Sequence, residues 1–417
     1  MASPPARTSP ATVLILTAAT GGGHHAAAEA ISRAVEERFP GRYGTAVCDP
    51  LTGSEAHSLL RRVCGWYGPL IRRMPWAWWA AFHAGDTAVT RWVLRRWVTR
   101  RAVAPIVAAL IRYRPVVVVA VHPLAVDAAV AARDRLAEEA GVHGSVGAPA
   151  LVTVVTDLAT AHGVWWHRRV DRTITPSSRL LEAGRRAAAA GMHGVPLGIP
   201  VRGPFREGPC APVQRAALRN RLGLRPDGFL VLLTAGAEGG RGLHGWTRAI
   251  VERVDGVDVV AVCGRNDALR ATLGDLAASV RGDRLRVMGS VPNMSDWIRC
   301  ADVVISKAGP SIIAEASSAG VPLLLPGHLP GQESGNTELT VATGAARRVR
   351  GRRDLARQVD ALRSDPAGIA AMRAAAIRAA RPDAATRIAE VVAAEAARSE
   401  GTARIRSTTQ RKETSWV

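Results

Sequence analysis

Between Gly289 and Asn336 the chain reads GSVPNMSDWIRCADVVISKAGPSIIAEASSAGVPLLLPGHLPGQESGN, and no other stretch constrains its fold so tightly. Val303 to Ser306 is a short β-branched run, the mark of a buried strand. Ala308-Gly309-Pro310 then turns the chain into SIIAEASSA, where Pro310 suits a first helical position. Gly320 stops that helix and Pro322 prevents its resumption. A helix starting just after a strand offers unpaired N–H groups and the positive end of a dipole, so a phosphate near Gly309, Pro310 and Ser311 is stabilised. Glu315 follows one turn later, and helical side chains lean toward the N-terminus. Its carboxylate is therefore placed to accept hydrogen bonds from both hydroxyls of a ribose. An ordinary βα unit with an exposed glutamate fits the same pattern, and the stretch alone leaves both readings open.

The alternation recurs along the chain. Val13–Leu16 reads as a strand, Gly21–Gly23 as a turn and Ala26–Arg38 as a helix; Val116–Val121 and Leu151–Val155 are further β-branched runs of the kind buried on both faces of a parallel sheet. After the Gly/Pro-rich stretch Gly194–Pro212, new strands are expected at Phe229–Leu233, Val257–Val262 and Leu285–Met288. The chain thus divides into two doubly wound, Rossmann-like α/β domains over 11–205 and 206–398, with a disordered leader (1–10) and a disordered basic tail (399–417). Ligands of such sheets sit outside the carboxyl ends of the strands, so the cleft between the domains is the expected site.

Several motifs face that cleft. Gly21 to Ala26 (GGGHHA) nominally fits a dinucleotide fingerprint, with Asp49 as a late ribose acid, which keeps an NAD-dependent oxidoreductase as the alternative. The same turn presents His24, either as a base for a hydroxyl proton or as a polar helix-start residue. Asp157, ending a strand in VVTDL, either positions an acceptor hydroxyl or caps the next helix. Gly236, in TAGAEGG, lets backbone amides approach a phosphate, and Arg265, in CGRN, follows a strand toward the nucleotide; either motif also serves as a tight turn. There is no Asp-x-Asp pair and no HExxH, so no metal-bound diphosphate is expected, and leaving-group charge falls to the Gly309 turn and Lys307. No cofactor is called for. Five cysteines without CxxC spacing argue against a disulfide framework and a zinc site alike.

Residues 57–101 hold six of the eleven tryptophans and nine arginines against one acid, Asp86. Trp66, Trp76, Trp78 and Trp79 with Arg72 and Arg73 suit a lipid headgroup boundary, where indoles and guanidiniums both find partners. A helical hairpin with core tryptophans, or stacking on nucleic acid, are the rivals; clustering in one excursion favours the membrane. The formal net charge of +20 agrees with an anionic partner, taken as an anionic membrane surface, with no nucleic acid expected.

The motifs TGGGHHAAAEAI, VHPL, VVTDLATAHGVWWHRRVDRTITPS, GIPVRGPF, CGRN and SKAGPSIIAEASSAGVPLLLPGHLPGQESGN occur in an order that resembles the monogalactosyldiacylglycerol synthase and processive diacylglycerol glucosyltransferase family. The chain is also similar to the N-acetylglucosaminyltransferase that completes lipid II. The resemblance implies a GT-B fold, a UDP-sugar donor held by the C-terminal domain, a lipid acceptor approached through the N-terminal domain, and inversion at the anomeric carbon. It implies Glu315 on ribose, Gly309–Ser311 on the diphosphate, Val291 backbone on uracil, and Gln332, Glu333 and Asn336 on sugar hydroxyls or diphosphate. His24 would lie beside the reacting centre. Plant-type members have Ser-Asp-Thr where this chain has Ala18-Ala19-Thr20. Any role of that Asp shifts to His24, aided by His122 or Asp157. The expected location is the cytoplasm, peripheral on the inner face of the cell membrane; a non-catalytic lipid-binding scaffold is the remaining alternative.

Overall fold

The computed structural model describes residues 10–19, 22–139, 148–188, 192–236, 240, 242–280, 282–328, 331, 333 and 335–413. Among these residues two six-stranded sheets form, and every pairing is parallel. The N-terminal sheet contains β1 (Ala11–Leu16), β2 (Tyr43–Cys48), β3 (Val117–Ala120), β4 (Ala150–Val154), β5 (Arg172–Thr175) and β6 (Gly194–Pro196), in the order β2-β1-β3-β4-β5-β6. The C-terminal sheet contains β7 (Phe229–Thr234), β8 (Val257–Val262), β9 (Leu285–Met288), β10 (Val303–Ser306), β11 (Leu323–Leu325) and β12 (Ala346–Arg348), in the order β12-β11-β10-β7-β8-β9. The β-branched runs become strands because parallel strands covered by helices on both faces need apolar side chains on both. Val117, Val118 and Val119 are fully buried or nearly so.

In the first domain α1 (Gly23–Arg38) follows β1 directly. The Trp/Arg excursion folds as α2 (Ser58–Gly65), α3 (Tyr67–Arg73), α4 (Pro75–Gly85) and the long α5 (Ala88–Tyr113), before α6 (Pro123–Glu139). Its anchors are Leu60, Val98, Ala102, Ile106 and Leu110, which join Leu14, Leu16 and Trp165 in one core.

Two boundaries differ from expectation. Val201 and Phe205 pack with Leu230, Leu232 and Val304 of the second domain, so the divide falls ahead of residue 205. The last helix, Ala384–Glu413, returns to the first domain: Ala385, Ile388, Ala389 and Val392 pack with Val13, Ile15 and Val119. It also runs through residues 399–413, where a disordered tail was expected. Once a helix is nucleated and anchored, each further residue adds one hydrogen bond, and an Ala/Arg/Glu-rich sequence propagates readily across a single Gly401.

Candidate active site

The N-terminal half of the site is built where β1, β3 and β4 end. His24 opens α1 and is buried. Its Nδ1 lies 2.8 Å from the Val121 carbonyl, which only accepts, so the ring carries its proton on Nδ1 and leaves the Nε2 lone pair unprotonated. The Thr156 hydroxyl lies 2.9 Å from the same nitrogen. Burial lowers the His24 pKa to about 4, opposed by the Val121 hydrogen bond, so the imidazole is neutral near pH 7. His122 packs edge-on at 4.6 Å between ring centroids. Its pKa is held well below the ordinary value, by burial first and by His24 second. Asp157 is also buried, but it caps no helix: it accepts the indole N–H of fully buried Trp165 at 2.7 Å, and Trp165 in turn lies 6.3 Å from the His24 ring.

Asp49 is committed elsewhere. It accepts the backbone N–H groups of Ala19, Leu51 and Thr52 at 3.0, 3.0 and 2.7 Å, so it ties its own loop to the end of β1. A ribose acid with those ties has little capacity left, which weakens the dinucleotide reading; Gly21 of that motif lies outside the described residues.

On the opposite side the helix Pro310–Ser318 begins after β10, with Gly309 as its N-cap and Pro310 in its first turn. Its start meets the start of α1: a methyl group built at Gly23 would stand 3.0 Å from Ser311 Oγ. Glu315 is buried and its pKa is raised by desolvation, an effect opposed by Arg202. Arg202 donates from Nη2 at 2.9 Å and Nε at 3.2 Å, both to Oε1, which leaves Oε2 as the oxygen to offer a ligand. Arg202 escapes a reading of local pattern because its partner is more than a hundred residues away; only its place in GIPVRGPF marked it.

The other donor-side positions divide. Gly236 has φ +81, with the Lys307 side chain 3.6 Å from where a Cβ would stand. Val291 is half-buried against the second-domain core, and Arg265 is exposed beyond Gly264. Lys307 is not an isolated point charge: its Nζ pairs with buried Glu333, and both atoms of the pair lie over Gly309. Asn336 departs from the expectation. It has no solvent exposure; its Nδ2 donates to Ala308 O at 2.9 Å and its Oδ1 accepts from Ala159 N at 3.0 Å. The Oδ1 bond joins the two domains and the Nδ2 bond ties Asn336 to Ala308 within the second, and with no exposed surface the side chain is not offered to a sugar. Gln332 lies outside the described residues.

Residues 24–201 match the family model for monogalactosyldiacylglycerol (MGDG) synthase, and residues 248–388 match the glycosyltransferase family 28 C-terminal domain. A probable monogalactosyldiacylglycerol synthase 2 of Oryza sativa subsp. japonica is 33% identical over 368 residues, covering 83% of this chain and 72% of the relative. The chain belongs to the monogalactosyldiacylglycerol synthase family. It is a glycosyltransferase. Monogalactosyldiacylglycerol synthase 3 of Arabidopsis thaliana is 30% identical, over 80% of this chain and 70% of its own length. Solved structures agree in fold: MurG of Acinetobacter baumannii matches with TM-score 0.54 at 12% identity over 92% of this chain and 99% of its own. Anabaena HepE, in complex with UDP and glucose, matches with TM-score 0.55 at 15% identity over 92% of this chain and 100% of its own. The architecture is therefore GT-B.

In this family member the excursion concentrates apolar surface. Thirteen large apolar side chains are exposed among the described residues, and nine of them lie within 57–101. Trp66 and Trp76 are 70% and 71% exposed, and Trp79 and Trp92 more than half, so a core role for these four fails. Trp97 does pack against the core, and Trp78 is half-buried with its ring 6.2 Å from Phe82. Arg73 is exposed, while the Arg72 side chain lies outside what the structure describes. Arg91 and Arg95 serve the fold instead, binding Asp86 and the Gly163 and Trp166 carbonyls. Among the described residues no helix is long and apolar enough to cross a membrane.

Proposed function

We propose that the protein transfers a hexose or N-acetylhexosamine, with inversion, from a UDP-sugar to a hydroxyl of a diacylglycerol-type membrane lipid. The work is done at the inner face of the cell membrane, where exposed tryptophans and Arg73 meet anionic lipid. One observation carries the reading: a neutral, buried His24 at the start of α1 opposes the start of the Pro310–Ser318 helix, the two touching at Gly23 and Ser311. His24 Nε2 takes the hydroxyl proton as the lipid oxygen bonds to the anomeric carbon. The bond from that carbon to the diphosphate oxygen breaks, and UDP carries away the electron pair. Its charge is met by the positive end of the Pro310–Ser318 helix, where Ser311 carries the first-turn N–H because Pro310 has none, and by Lys307, which exchanges Glu333 for phosphate. Glu315 Oε2 accepts from the ribose while Arg202 holds Oε1.

The test is His24→Ala. Turnover should fall by about 10²–10⁴-fold, the range for loss of a positioned base, with UDP affinity by calorimetry unchanged. Turnover near wild type with donor binding intact contradicts the assignment of the base.

A further inference from the structure

Among the described residues, helix α4 meets the donor side of the cleft at Gly331. A Cβ built at Gly331 would stand 2.9 Å from Phe82 Cδ1, 3.0 Å from Cγ and 3.2 Å from Cβ, so the Phe82 side chain fills the space beside the Gly331 backbone. Gly331 also has φ +88, so no residue with a side chain fits there without strain. Beyond it in the chain come Glu333, paired with Lys307 over Gly309, then Gly335, packed toward Ala159, and the bridging Asn336. On its other side the Phe82 ring meets His162 edge-on at 5.3 Å. His162 caps the short helix Gly163–Trp165, whose Trp165 binds Asp157 and lies against His24. One ring thus sits between the half of the site that holds the proposed base and the half that holds the proposed donor. It extends from a helix whose Trp76 and Trp79 face outward.

We propose that Phe82 positions the donor turn carrying Gly331, Glu333 and Asn336, tying the placement of the sugar to the seating of the membrane-facing helix. The inference rests on the UDP-sugar reading above. Phe82 touches neither reactant; it acts through the turn. Since Glu333 of that turn pairs with Lys307 over Gly309, where the diphosphate is proposed to sit, and Glu315 holds the ribose separately, loss of the ring disturbs the diphosphate and the sugar it carries and spares the nucleoside.

The experiment uses the full chain with vesicles of phosphatidylglycerol, phosphatidylcholine and diacylglycerol. Phe82→Ala should raise KM for the UDP-sugar about tenfold or more through a displaced turn, leave uridine affinity and vesicle recovery unchanged, and speed backbone hydrogen exchange across residues 331–336. Phe82→Leu, which keeps apolar volume, should recover most of the KM; it carries the same readouts if the alanine variant does not fold. Unchanged KM and unchanged exchange overturn the proposal, as does an equal loss of affinity for uridine. If the wild-type protein transfers no sugar from any UDP donor, the donor reading fails; hydrogen exchange then decides the role of Phe82 by itself, faster exchange supporting it and unchanged exchange refuting it.

Discussion

Replacing Arg202 by alanine isolates what the carboxylate of Glu315 does. In the intact protein Glu315 is buried; desolvation raises its pKa and the negative charge of Glu29 adds to the rise, while the charge and two hydrogen bonds of Arg202 oppose it. Removing Arg202 leaves only the effects that raise it. Hydrogen bonds to charged groups are worth about 1.5–3 kcal/mol each, and a quarter of the Arg202 side chain is in solvent. A loss of about 2 kcal/mol for the pair is a fair magnitude, a factor of about thirty in the balance of carboxylate against carboxylic acid. The acid form keeps fewer acceptors for ribose hydroxyls. UDP affinity of Arg202→Ala, measured by calorimetry from pH 5 to 8, should therefore weaken about tenfold at the acid end and recover toward pH 8. Stability gives an independent check on the sign. A carboxyl whose folded pKa lies above its unfolded value contributes most below the unfolded pKa, and the contribution is lost as pH rises through the folded pKa. The variant should thus unfold more easily, relative to wild type, as pH rises over the same window. UDP affinity equal to wild type and flat with pH would refute the reasoning, since Glu315 would then neither touch the nucleotide nor depend on Arg202.

Two further outcomes follow. His24 has a folded pKa of about 4 against 6.5 unfolded, so its contribution is present above pH 6.5 and lost as pH falls toward 4. Between pH 7 and pH 5 that loss is about 2 kcal/mol, and in denaturant titrations His24→Gln should lack that share of the wild-type loss; an identical loss in the variant would show that His24 is not buried in its neutral form. In flotation assays, wild-type protein should be recovered more with phosphatidylglycerol vesicles than with neutral ones, and replacing Trp66, Trp76 and Trp79 by serine should lower recovery with both. Equal recovery with neutral and strongly anionic vesicles would dismiss electrostatic docking.

The framework of this protein is written in local pattern, and its junctions are not. Val257–Val262, Leu285–Met288 and Val303–Ser306 are strands at the residues the β-branched runs predict, and the donor helix begins at Pro310 after the Gly309 turn. These features depend on neighbours a few positions away. The pairs that assemble the cleft depend on residues far apart in the chain: Arg202 on Glu315 within the second domain, and Asn336 on Ala159 and Phe82 on Gly331 between the two. Asn336 was expected at a sugar hydroxyl or the diphosphate from the family resemblance, and a polar side chain beside a ligand looks the same in sequence as one that staples two backbones. The last helix misled for a similar reason. Its apolar residues Ile388 and Val392 reveal a buried face, but not that the sheet they cover lies more than two hundred residues earlier. The tryptophans were readable as a cluster, yet Trp97 and Trp66 share composition and differ in fate, because Trp97 lies near the anchored turns of α5 and Trp66 near the outward tip of α2.

The most direct test of the central claim is the mass of the lipid product formed when the protein is incubated with UDP-galactose, UDP-glucose or UDP-N-acetylglucosamine and vesicles containing diacylglycerol. A lipid heavier by one sugar residue, released together with UDP and absent with His24→Ala, is the predicted result. No sugar-bearing lipid from any of the three donors, under conditions where UDP binds, would contradict the account.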